Sequence, residues 1–130
     1  MARNALRRAA CCAALLLFLG VPAAAGTGGE PLPPTIPVPG MVTMVDLGAN
    51  RCIPCKLMAP ILQEVRQEYQ GRAAVIFLDV WEDPTQTDRF GIRVIPTQIF
   101  YDAAGREAAR HEGFMDKAAI VKVFNRLGVK

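Results

Sequence analysis

The spacing of apolar and polar positions changes several times along the chain, and each change marks an element. "MVTMVDL" (41–47) is a short apolar run rich in valine, as expected of a buried strand. Over residues 54–69 the period becomes helical, with Met58, Ile61, Leu62, Val65 and Tyr69 at i, i+3, i+4, i+7 and i+11. Pro54 suits the first turn of that helix, whereas Pro60 falls inside it and is expected to bend it. Gly71 closes the helix, and "AAVIFLDV" (73–80) predicts a second buried strand. "DPTQTDRFG" predicts a short helix opening at Asp83 and closing at Gly91. "TQIFYD" and "REAARHEG" flank the turn "DAAG" and predict a β-hairpin. A last helix starting near Asp116 turns Ile120, Val123, Phe124 and Leu127 inward. The order is β-α-β-α-β-β-α. Strands separated by helices favour parallel pairing and the hairpin is antiparallel, so the expected fold is α/β, with a mixed central sheet flanked by helices.

The first 40 residues follow no such pattern. Arg3, Arg7 and Arg8 precede the apolar run "AACCAALLLFLGVPAAA" (9–25), which ends in small residues. A basic start, a short apolar core and a small-residue end describe a secretory signal peptide over residues 1–25, cleaved near Ala25. At 17 residues the run is near the lower limit for crossing a bilayer, so the alternative is an uncleaved inner-membrane anchor. Residues 26–40, "GTGGEPLPPTIPVPG", carry five prolines and four glycines and predict an extended arm or linker, leaving 41–130 as the domain. A leader of this kind places the domain in the periplasm or outside the cell.

Removing the leader changes the charge. Its three arginines taken from a total of 15 basic residues leave 12 against 12 acidic ones, so the mature domain has no net formal charge. That balance argues against nucleic acid as a partner. Four cysteines become two, Cys52 and Cys55 in "RCIPCK", too few for a disulfide framework.

A structural disulfide, a metal site and a redox couple compete for this pair. A structural disulfide gains stability from the length of the loop it closes, and this loop encloses only Ile53 and Pro54. Structural zinc needs about four ligands, and the other obvious one, His111, stands 56 residues beyond Cys55. Copper(I) can use two thiolates alone, which leaves a non-catalytic copper-binding module as an alternative. The redox reading explains more. Cys52 follows a strand and opens a helix, where unpaired N–H groups and the helix dipole favour a thiolate. Arg51 and Lys56 add positive charge that would lower the thiol pKa further. Cys52 is then the attacking thiolate, and Cys55, one turn on and facing inward, resolves the mixed disulfide.

Over roughly residues 41–128 the chain resembles the thioredoxin family. "CIPCK" matches its CxxCK active site, "MAP" (58–60) its kinked active-site helix, and "GIRVIPT" (91–97) its cis-proline loop, with Pro96 44 residues after Cys52. Gly113 resembles the glycine beside its substrate groove. The resemblance implies a thioredoxin-like fold and a cis Ile95–Pro96 bond that leaves the Ile95 backbone free to pair with an extended substrate beside Cys52. Ile53, Pro54 and Gly113 would line the same surface. Asp46, six residues before Cys52, would be a buried aspartate that relays a proton to the buried cysteine. The chain also departs from the family. Arg51 stands where a tryptophan is usual, "LGA" (47–49) replaces "FWA", and Phe77 replaces the lysine that accompanies the buried aspartate. The family's first strand-helix unit is replaced by the proline-rich arm, which makes this a minimal version of the fold.

The expected activity is thiol-disulfide exchange through Cys52 and Cys55, with no cofactor beyond that couple. Ile53-Pro54 places no charge or donor between the cysteines and resembles the reducing members, so a protein-disulfide reductase is favoured over a disulfide donor or isomerase. Its partners would be oxidised proteins and a membrane electron-donor protein that re-reduces the pair. An apolar surface around Ile53, Ile95 and Gly113 suits transient docking by a monomer.

Overall fold

The computed structural model describes residues 35–130. The expected signal peptide and most of the expected arm lie outside the described residues. The elements are β1 (Val42–Gly48), α1 (Ile53–Glu68), β2 (Ala73–Asp79), α2 (Thr85–Phe90), β3 (Thr97–Tyr101), β4 (Glu107–Glu112) and α3 (Lys117–Arg126). The sheet order is β2-β1-β3-β4. β1 pairs parallel with β2 and antiparallel with β3, and β3 pairs antiparallel with β4, so the sheet is mixed, as expected.

β1 is buried along its whole length because both faces of the sheet are covered. On one face, Met58, Leu62 and Val65 of α1 and Ile120, Val123 and Phe124 of α3 pack on Met44, Val75 and Phe100. On the other, Phe90 and Ile92 pack on Val45, Leu47, Ile76 and Ile99. The alternation of a strand therefore separates Met44, Asp46 and Gly48, on the α1 face, from Val45 and Leu47.

α1 runs as one helix through Pro60, and its stripe of buried residues is the one its periodicity predicts. At α3, Asp116 is the N-cap and accepts a hydrogen bond from the Ala119 N–H at 2.8 Å. Asp116→Ala is expected to cost about 1 kcal/mol of stability, measured by urea unfolding.

The end of the arm belongs to the packed body. Ile36 and Val38 lie against the second core face, the Val38 N–H donates to Thr43 Oγ1, and the Gly40 N–H donates to the Ala103 carbonyl. Packing thus begins a few residues before Met41. A proline-rich composition forbids a helix but leaves Ile36 and Val38 free to bury apolar surface.

Candidate active site

The turn between β1 and α1 carries the cysteine pair. Cys52 is extended (φ −81°, ψ 127°) and forms the N-cap of α1. Its carbonyl accepts the Lys56 N–H at 3.0 Å, the first bond of the helix. Pro54 has no N–H, so the unpaired amide donors of this first turn are those of Ile53 and Cys55. The first turn holds no acidic side chain. Sixteen residues of aligned peptide dipoles end at Cys52, which favours negative charge on its sulfur.

The two cysteines differ in exposure. Cys52 is partly exposed, whereas Cys55 is 4% exposed and packed under the helix. Their Cα atoms are 5.2 Å apart with the sulfurs joined, within the range a disulfide requires. Between them Ile53 is 76% exposed.

Gly48 makes this packing possible. A Cβ there would stand 3.0 Å from Phe77 Cε2 and 3.3 Å from Cys55 Sγ. The glycine of "LGA" thus admits the Cys55 sulfur and the Phe77 ring against the backbone of β1.

Asp46 lies two residues before Gly48, on the same face of β1 as the Cys55 sulfur, and is 0% exposed. Burial pushes its carboxyl up to about 6, against a hydrogen bond from Gln98 Nε2 at 2.8 Å that favours the charged form. Its cross-strand neighbour on β2 is Phe77, which offers it no charge. Its neighbour on β3 is Gln98. The sequence reading missed Gln98, although a glutamine inside the apolar run "IPTQIFY" was the available signal.

The loop before β3 carries the other predicted site residues. The Ile95–Pro96 peptide is cis and Pro96 is buried. The Pro96 carbonyl accepts the Gly113 N–H at 2.7 Å, which ties the segment after β4 to this loop. Gly113 has φ +97°, a conformation that L side chains rarely adopt. Ile95 makes no backbone hydrogen bond to another described residue. Val94, before Ile95, and Phe114, after Gly113, are exposed apolar residues, as are Ile53 and Leu57 on α1.

The charged residues around the site divide. Arg51 and Lys56 are exposed. Burial works against ionisation of Asp79, but N–H donors from Asn50, Trp81 and Glu82 and the charge of Arg51 outweigh it and hold the carboxyl below its usual range. Arg51 therefore sets its positive charge near Asp79. His111 is exposed on β4, its Nε2 3.1 Å from the Phe114 carbonyl. Among the described residues no three His, Cys, Asp or Glu side chains are grouped as a metal site would be.

The comparisons agree with this geometry. The family model described as Thioredoxin matches residues 38–126. Thioredoxins from several strains of Staphylococcus aureus, including Mu50 and MW2, are 34% identical over 85 residues, covering 65% of this chain and 81% of theirs. Among solved structures, a chloroplastic thioredoxin z is 31% identical with a TM-score of 0.62, covering 70% of this chain and 81% of its own. A malarial protein superposes with the same TM-score at 16% identity, covering 66% of this chain and 96% of its own, which is a likeness of fold alone. The chain therefore belongs to the thioredoxin family, and Cys52 and Cys55 are the redox couple of a thiol-disulfide oxidoreductase.

Proposed function

We propose that this oxidoreductase works outside the cytoplasm and reduces disulfides of oxidised proteins through a mixed disulfide. The observation that carries the mechanism is the unequal exposure of the pair, with Cys52 at the surface end of α1 and Cys55 buried behind it. The Cys52 thiolate attacks a substrate disulfide, and the first substrate sulfur leaves. Cys55 then gives up its proton, with Asp46 as the carrier, and attacks Cys52 Sγ. The second substrate sulfur leaves, and the Cys52–Cys55 disulfide remains.

The substrate segment lies as an added strand along Ile95, over Ile53, Pro54, Pro96 and Gly113, with Val94 and Phe114 at the rim. Arg51 and Lys56 supply positive charge near the attacking sulfur. A membrane protein carrying its own dithiol re-reduces the pair, since an exported domain is cut off from soluble reductants of the cytoplasm. The signal-like start of the chain supports the location, and the uncharged Ile53-Pro54 dipeptide supports the direction.

The reduction potential tests the direction. Thiol trapping in defined dithiothreitol buffers is expected to give a value near about −270 mV, in the reducing range of the family. A value near about −120 mV would make the protein a disulfide donor.

A further inference from the structure

Four polar side chains are fully buried in the sheet: Thr43, Asp46, Thr97 and Gln98. Both threonines are satisfied, Thr43 Oγ1 donating to the Met41 carbonyl and Thr97 Oγ1 to the Val94 carbonyl. The other two share one hydrogen bond, from Gln98 Nε2 to Asp46 Oδ1, and leave one oxygen each, Asp46 Oδ2 and Gln98 Oε1, without a partner. Unpartnered buried polar atoms are uncommon and costly, and here both belong to one contacting pair. Two bare oxygens cannot satisfy each other. A proton on Asp46 Oδ2 would supply the missing donor, and Gln98 Oε1 is the matching acceptor.

The surroundings offer no substitute. On β2 the facing residue is Phe77, and Asp79 further along is occupied by backbone N–H groups. Among the described residues of α1, Cys55 is buried beside this face, Lys56 is exposed, and Arg66 is engaged with the Val75 carbonyl. On β4 the register partner of Gln98 is His111, exposed and turned to the Phe114 carbonyl. α3 contributes apolar side chains.

We infer that Gln98 is a positioning residue for the Asp46 proton step, holding the carboxylate by one hydrogen bond and the protonated acid by two. This rests on the proposed function. In the step it serves, the Cys55 S–H bond breaks, the proton passes to Asp46 and the electron pair forms the bond to Cys52 Sγ. The bond between Cys52 and the substrate sulfur breaks, its electron pair leaves on that sulfur, and the resulting thiolate takes a proton from water. Gln98 lets Asp46 exist in both states inside the protein. Without it the ionised carboxyl is left buried with no donor, a larger penalty than the neutral acid pays for losing its two bonds, so Asp46 stays protonated to higher pH.

The test is single-turnover release of a chromophoric thiol from its mixed disulfide with Cys52, followed across pH in wild type, Gln98→Leu and Asp46→Asn. Gln98→Met serves if the leucine variant fails to fold. The acid limb of the Gln98 variant is expected to move up by about one pH unit, slowing release about tenfold on its low side and recovering at high pH. A limb superimposed on that of wild type, or moved down as added hydration of Asp46 would move it, overturns the role of Gln98. If Asp46→Asn keeps the wild-type limb, the Asp46 proton step fails and the role of Gln98 with it. Infrared spectroscopy tests the pair without turnover. The carbonyl band of protonated Asp46, assigned by its loss in Asp46→Asn, is expected at higher frequency in the Gln98 variant, and an unshifted band overturns the acid–amide pair.

Discussion

Cys55→Ser is expected to accumulate as a covalent adduct with its substrates, whereas Cys52→Ser is expected to form none and to fall to the uncatalysed rate. Both effects come from the two positions on α1. A thiolate at Cys52 is reachable by a protein disulfide and is favoured by the free amides of the first turn. Cys55 is 4% exposed, so a substrate reaches it only after Cys52 has brought the sulfur within range. Removing Cys55 leaves the mixed disulfide with no internal thiol to resolve it. Non-reducing gels of each variant incubated with an oxidised protein, run beside a turnover assay, distinguish the two. Adducts forming in Cys52→Ser rather than in Cys55→Ser would interchange the roles.

Asp46→Asn is expected to stabilise the oxidised protein at neutral pH, by an amount that shrinks as the pH falls. The Asp46 carboxyl has its pKa raised to about 6 by burial, above the value near about 3.9 that it has in the unfolded chain. The folded state therefore holds this proton more tightly than the unfolded state, and the fold loses stability as pH rises from the unfolded value to the folded one. The difference between those two values makes the full cost above pH ~6 on the order of 3 kcal/mol, and it vanishes below pH ~4. Asparagine has the shape of the neutral acid. Its oxygen can accept from Gln98 Nε2 and its N–H can donate to Gln98 Oε1, which satisfies the pair at every pH. Urea unfolding of both proteins between about pH 4 and pH 8 checks this, because only the difference between them isolates Asp46. A difference that does not vary with pH would show that Asp46 does not titrate in this range. The same ionised carboxylate is the one the proposed proton step requires, so a stability gain with a slowed resolving step would be the cost of function made visible.

The elements were legible because each rests on local chemistry. Met58, Leu62 and Val65 recur at the spacing of a helix face, and that face is the one α1 buries. Gly91, in the left-handed conformation, closes α2 where expected. Cys52 and Cys55 were legible for the same reason, since their relation to the helix start is a matter of three residues. The Ile95–Pro96 loop was readable only through family resemblance, because its partner Gly113 lies on a different element.

What the sequence by itself determined is the alternation of strands and helices, the place of the cysteine pair at a helix start and the burial of β1. These follow from short-range periodicity and from the special backbones of proline and glycine. The tertiary structure decided which side chains meet. Gln98 reaches Asp46 only because β3 returns antiparallel beside β1, joining positions 52 residues apart. Phe77 and the Cys55 sulfur close on Gly48 only because β2 and α1 converge at the end of β1. Ile36 and Val38 find the second core face only once α2 and the sheet have formed it. A residue's local pattern states what it can bury or bond, but its partner is set by strand order, and strand order is a property of the whole packed domain.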